Sequence, residues 1–174
     1  KKGREGMKTF YLIGGPMGVG KTAACQILKK KLDRCVFLDG DWCWDMDPFV
    51  VNDETKALVL DNICSVLNRF LSCTVFNNVV CCWVLHQQEI WDTILTRIDT
   101  RGWKVVCVSL AASPEVLTDR LKKDIAQGSR QPDVIQRSLD RLPLYQNLRT
   151  VRIDTTGLTP EETAAEIAAL ESCT

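Results

Sequence analysis

Apolar positions along this 174-residue chain alternate between two periods. Thr9-Phe10-Tyr11-Leu12-Ile13 is a short β-branched and aromatic run ending in glycines, which predicts a strand. From Lys21 to Leu32 the spacing turns helical, with Ala24, Ile27, Leu28 and Leu32 on one stripe. Cys35-Val36-Phe37-Leu38 predicts a second strand, stopped by Asp39-Gly40. Asp53 to Leu71 predicts a helix whose apolar side carries Leu58, Leu60, Ile63, Leu67 and Phe70. Val79 to Leu85 is the third strand, Glu89 to Ile98 a helix and Trp103 to Leu110 the fourth strand. Ser113-Pro114-Glu115 starts a helix, with Ser as N-cap and Pro at the first helical position; Leu117, Leu121 and Ile125 continue one face and Gly128 breaks it. Pro132 opens another helix to about Leu142, Thr150 to Ile153 is the fifth strand, and Thr159-Pro160-Glu161-Glu162 is a capping box opening the last helix.

Near-continuous apolar strands separated by helices predict a parallel sheet covered on both faces. Right-handed crossovers then give a three-layer α/β/α sandwich. No linker, repeat or low-complexity segment interrupts it, so residues 1–174 read as one domain, with residues 1–6 a tag or extension and Met7 a plausible native start. With 45% hydrophobic and 25% charged residues, the chain can bury a core without staples. The 22 basic and 22 acidic residues cancel, and the lack of a basic excess weighs against a nucleic-acid partner. No apolar run reaches the roughly 18 residues that span a membrane, and no apolar leader is visible. Nine cysteines without a C-x-x-C pair, several inside apolar runs (Cys81, Cys82, Cys107), predict reduced thiols in a cytoplasmic protein.

Candidate chemistry is concentrated after the first strand. Gly15-Pro16-Met17-Gly18-Val19-Gly20-Lys21-Thr22 fits G-x-x-x-x-G-K-[ST], between a strand and an amphipathic helix as that motif requires. Gly15, Gly18 and Gly20 let the backbone turn so that amides, including those around Val19, converge on phosphate oxygens. The helix N-terminus adds partial positive charge, Lys21 reaches the β and γ oxygens, and the Thr22 hydroxyl binds Mg²⁺. The predicted ligand is Mg·ATP or a close relative. The chain has no N-K-x-D to suggest a GTPase, and its third strand runs on into Trp83-Val84-Leu85-His86 without the acid expected of a motor or AAA-type ATPase. The second strand does end in acids, Asp39-Gly40-Asp41. The C-terminal strand ends of a doubly wound sheet face the ligand crevice, so one of these acids can hold Mg²⁺ and the other can accept a proton from an attacking hydroxyl. The plainer alternative is an Asp-Gly turn.

Together, Gly15 to Thr22, Phe37-Leu38-Asp39-Gly40-Asp41 and a downstream arginine-bearing segment resemble the nucleoside-monophosphate, shikimate and gluconate kinase group of P-loop proteins. That resemblance implies a five-stranded parallel sheet in the order 2-3-1-4-5 with a mobile lid, here about residues 120–142. It implies that Asp39 touches Mg²⁺ and that Asp41 holds or deprotonates the acceptor. The lid arginines would neutralise charge during transfer, which points to Arg130, Arg137 and Arg141; helix geometry extended back to Arg130 would put all three on one face. A protein partner for Arg137 is also at hand, because Asp133 lies four residues before it. Arg120 resembles the arginine that packs on adenine, although the usual second arginine four residues on is replaced by Asp124. The loop Asp154 to Leu158, with Thr156, resembles the one that passes the adenine ring, or is a plain β–α turn.

The acceptor should lie against Asp41-Trp42-Cys43-Trp44-Asp45-Met46-Asp47-Pro48-Phe49. Trp42 and Trp44 can stack on a ring or sugar, or serve the core. The further carboxylates disfavour an anionic acceptor and favour a neutral or cationic one, such as a nucleoside, a sugar or an antibiotic-like compound. His86, the single histidine, should face the same crevice as a substrate contact or serve as a structural residue. The leading expectation is a small-molecule kinase, as monomer or homodimer. A nucleic-acid end kinase or tRNA-processing factor and a non-catalytic nucleotide sensor are the alternatives.

Overall fold

The computed structural model describes residues 6–170, so the expected tag or extension at 1–6 lies, but for Gly6, outside the described residues. Five strands form one parallel sheet: β1 (Lys8–Gly14), β2 (Cys35–Asp39), β3 (Asn78–Trp83), β4 (Trp103–Ala111) and β5 (Val151–Asp154), in the order β2-β3-β1-β4-β5. β1 is the central strand, pairing Gly14 with Trp83 of β3 and with Ser109 of β4. This register brings the end of β1, where the phosphate motif begins, level with the C-terminal ends of its neighbours.

The helices are α1 (Lys21–Lys31), α2 (Asp53–Ser72), α3 (Gln88–Arg97), α4 (Pro114–Ala126), α5 (Val134–Arg141) and α6 (Pro160–Ala168). Strand residues alternate between two cores. Tyr11, Ile13, Phe37, Val80 and Val108 pack with α1, α4 and α6 through Leu28, Leu117, Leu121 and Ile167. Phe10, Leu12, Leu38, Val79 and Cys81 pack with α2 and α3 through Ile63, Leu67, Trp91 and Ile94. The result is the three-layer α/β/α sandwich that strands buried on both faces require.

Local side-chain caps start three of the six described helices, α2, α4 and α6. Ser113 accepts from the Val116 amide ahead of Pro114, and Thr159 with Glu162 makes the reciprocal capping box. The buried stripe of α2 differs from the expected one: Val59, Ile63, Cys64, Leu67 and Leu71 face the core, while Leu58 is 51% exposed. Ile63 and Leu67 are common to both stripes, so the buried face is turned by only a fraction of a residue from the expected one. Helix α5 starts at Val134, so Arg130 lies in the bend before it and does not share its face. No disulfide joins the described cysteines, and among the described residues no cluster of His, Cys, Asp or Glu could hold a metal by itself. Nor is any described helix long and apolar enough to cross a membrane.

Candidate nucleotide site

The end of β1 turns into the N-terminus of α1 through Gly15–Gly20. Gly18 sits at φ +86°, and a Cβ there would come within 2.7 Å of Leu121 on α4, so both conformation and space require glycine. The loop is drawn around the Lys21 ammonium, which donates to the carbonyls of Gly15 at 2.7 Å and Pro16 at 3.0 Å. Burial of that ammonium lowers its pKa; the Cys82, Asp41 and Asp39 side chains partly restore it.

One helical position on, the Thr22 hydroxyl donates to Asp39 Oδ2 at 2.6 Å, and the other Asp39 oxygen accepts the Asp41 amide at 2.9 Å. Asp39 is buried at the end of β2. A hydroxyl and a carboxylate held together beside the loop form a hard-oxygen pair of the kind that suits Mg²⁺. Asp41 lies in the short 3₁₀ helix Gly40–Trp44 and lines the same cleft. Desolvation of its carboxyl, then the Asp39 charge, raises its pKa, and Lys21, Arg130 and a hydrogen bond from Trp83 pull it back down. Sequence reasoning missed Trp83. A Cβ on Gly40 would meet its ring at 2.5 Å, so the strand-end indole is packed against the turn that carries Asp41. The parallel pairing of β2 with β3, which puts Asp39 beside Cys82, brings Trp83 there, and no local pattern in the sequence marks that pairing.

The cleft has a volume of about 300 Å³. Opposite Asp41 its wall carries Arg120, Asp124, Arg130, Thr155, Leu158 and Pro160. Arg120 donates to the Val19 carbonyl at 3.2 Å and to the hydroxyl and carbonyl of Thr155 at 3.1 and 3.0 Å, tying α4 to the phosphate loop and to the β5–α6 loop. Its guanidinium therefore lies flat along that wall. The hydroxyl of Thr156, the residue expected here, donates to Asp154 at 2.6 Å and accepts from the Ser113 amide, closing the turn, while its neighbour Thr155 lines the cleft.

Arg137 is ion-paired with Asp133 at 3.0 Å, the protein partner weighed above, and does not line the cleft. Arg130 does line it, paired through Nε with Asp124. Trp42 is 52% exposed and meets Phe37 edge-on at 5.3 Å, whereas Trp44 packs against Phe49 and the α2 side of the core. Trp42 is thus available to a ligand, and Trp44 is chiefly structural. His86 has a buried Nδ1 without a hydrogen-bond partner among the described residues. Burial, then the Arg141 charge, lowers its pKa. It follows Leu85, whose backbone is held at φ +39° while its carbonyl accepts the Trp91 indole N–H at 2.8 Å.

A family model described as an AAA domain matches residues 12–137, from β1 into α5. The chain belongs to the AAA domain family. The missing acid after β3 argued against an AAA assignment; in this member of the AAA domain family the buried acid beside the P-loop threonine is Asp39, at the end of β2. No curated protein matches the chain by sequence. Among solved structures it is similar to the Deinococcus radiodurans tunicamycin resistance protein, with a TM-score of 0.66 and 23% identity over 93% of this chain and 94% of that one. It is also similar to a gluconokinase from Sinorhizobium meliloti 1021, with a TM-score of 0.65 and 20% identity over 93% of each chain. The shikimate kinase from Acinetobacter baumannii, solved with shikimate, gives a TM-score of 0.63 and 23% identity over 94% and 92%. These likenesses place the fold in the P-loop kinase-like group that the motifs suggested.

Proposed function

We propose that this protein is an ATP-dependent phosphotransferase that moves the γ-phosphate of Mg·ATP to a hydroxyl of a small, neutral or cationic molecule. The observation that carries this reading is the convergence of Lys21, Thr22 and Asp41 on one cleft, with the buried Asp39 behind them bonded to Thr22 Oγ1 at 2.6 Å. Thr22 and Asp39 would hold Mg²⁺, which when bound neutralises charge on the phosphates. Lys21 would exchange a loop carbonyl for a phosphate oxygen, and the loop amides would supply further donors. Arg120 would flank the adenine together with Thr155 and Leu158.

Asp41 would take the proton of the attacking hydroxyl. Its raised pKa makes it a better base than an ordinary surface aspartate. Exposed Trp42, next in the chain, would stack on the acceptor, and His86 would be a hydrogen-bonding contact to it. The neighbouring carboxylates Asp45 and Asp47 favour a nucleoside, sugar or antibiotic-like acceptor over an anion. Among the structural relatives are a gluconokinase, a shikimate kinase and a tunicamycin resistance protein; gluconate and shikimate are carboxylates, so the first acceptor panel sets anionic compounds beside neutral and cationic ones.

The test is a thermal-shift panel with Mg·ATP and candidate acceptors, followed by transfer of labelled γ-phosphate. A ligand at about 100 times its dissociation constant stabilises by roughly 2.7 kcal/mol. Binding of Mg·ATP by wild type and its loss in Lys21→Ala are expected. ATP binding without transfer to any acceptor tested would favour a nucleotide sensor, and steeply salt-dependent binding of RNA ends would favour a nucleic-acid acceptor.

A further inference from the structure

A carboxylate on the wall of a cleft shaped for polyphosphate is electrostatically out of place, and Asp124 is such a carboxylate. Its surroundings give it a task. Helix α4 ends at Ala126, and the chain reverses at Gly128, which adopts φ +77°. Both the amide and the hydroxyl of Ser129 donate to the Asp124 main-chain carbonyl, at 3.0 and 2.9 Å, and the Gly128 amide donates to Ile125. This is a Schellman-type helix end. It folds the chain back so that Arg130 lies beside the residue whose carbonyl anchors the turn.

Asp124 then grips Arg130 by a single nitrogen, Nε, at 3.1 Å. Among the described residues the terminal nitrogens of Arg130 make no other ion pair, and the residue itself lines the cleft. The Arg130 charge acts on both Lys21 and Asp41, which line the same cleft. About a third of each partner's side chain is exposed, so the pair is open to the cleft and is not a buried structural bridge.

We infer that Asp124 is a positioning residue that steers Arg130 onto the phosphoryl group in transit. The carboxylate itself touches no phosphate; it fixes the guanidinium so that the terminal nitrogens meet the oxygens on which charge builds during transfer. This rests on the phosphotransfer function proposed above and assigns part of it to the lid.

The experiment needs no acceptor. Calorimetry would compare Mg·ADP with Mg·ADP·aluminium fluoride, which mimics the transferring phosphoryl, on wild type, Arg130→Ala, Asp124→Ala, Asp124→Asn and the Asp124→Ala/Arg130→Ala double variant. Arg130→Ala should weaken the mimic by about tenfold or more and Mg·ADP by less than about threefold. Each Asp124 variant should weaken the mimic selectively in the same way. The helix end survives these substitutions, because Ser129 bonds the main chain of residue 124, and unchanged thermal unfolding would verify that. In the Arg130→Ala background, Asp124→Ala should change nothing further, as expected of a residue that acts through Arg130.

An Asp124 variant that binds the mimic as well as or better than wild type, while Arg130→Ala loses it, would overturn the inference and make Asp124 a restraint. So would equal weakening of Mg·ADP and the mimic. If wild type binds Mg·ADP and Arg130→Ala changes neither ligand, only the lid assignment falls. If wild type binds no Mg·ADP, the nucleotide function falls with it.

Discussion

The two walls of the cleft are built differently. On one side Lys21 and Thr22 stand in the first turn of α1, after β1, and Asp39 and Asp41 stand at and just past the end of β2, with β3 between the two strands. Their positions follow from the sheet, and they touch one another across gaps of 17 and 2 residues in sequence. On the other side Arg120, Arg130 and Arg137 are carried by α4, the bend after it and α5. Each is held by a neighbour of its own: Arg120 by Thr155 and Val19, Arg130 by Asp124, Arg137 by Asp133. In the proposed function the sheet wall supplies the phosphate and metal contacts. The helical wall offers charge that must be aimed, and a positive charge near a phosphate site contributes only when its local partner leaves it pointing there.

Substitutions on the sheet wall should therefore cost most. Lys21→Ala should lower phosphoryl transfer by about a thousandfold or more, read as labelled phosphate moved from ATP. Asp41→Asn should lower the transfer rate by about a hundredfold to ten-thousandfold and leave the Mg·ATP affinity within a few-fold. Full turnover in Asp41→Asn would remove its role as base. The same substitution should raise the melting temperature slightly at neutral pH. The folded-state pKa of Asp41 is raised, so its contribution to stability is present at low pH and is lost as pH rises through that value.

The helical wall should respond less and in a graded order. Arg120→Ala removes three hydrogen bonds between α4, the phosphate loop and Thr155, and should destabilise the fold by about 2 kcal/mol in denaturant unfolding while weakening ATP. Arg137→Ala breaks only an exposed i,i+4 pair, worth about 0.3–0.5 kcal/mol, and should leave transfer within about twofold. A hundredfold loss in Arg137→Ala would show that the lid rearranges more than its resting contacts indicate.

A pH profile sharpens the comparison further. A base with a raised pKa gives an acid limb above the ordinary aspartate range, with activity rising as Asp41 ionises. Trp83→Phe removes the hydrogen bond that favours the ionised form, so the limb should move to higher pH while the ring remains packed on Gly40. An unmoved limb would mean that the titrating group is another residue.

Much of this was legible in the chain itself. Strand and helix periods, the phosphate motif between them and the Asp-Gly-Asp at the second strand's end depend on near neighbours in sequence, and local geometry fixes them. The start of α4 illustrates this: the Ser113 cap, ahead of Pro114 and Glu115, forms where its side chains predict it. The stripe of α2 was legible only to within one residue, because Leu58 and Val59 are equally apolar and the sheet decides which faces inward. Thr155 and Thr156 differ in no local property either; the fold buries Thr155 against Ala111 and Arg120 at the cleft and leaves Thr156 exposed, bonded to Asp154.

By itself, then, the sequence determined the order of elements, the three layers and the phosphate loop, since each depends on periodicity or on a contiguous motif. Tertiary structure alone decided which arginine faces the cleft, that Trp83 supports Asp41, and that Asp124 meets Arg130. Those outcomes are contests among several chemically adequate partners, and they are settled by distances between segments that no one-dimensional pattern records.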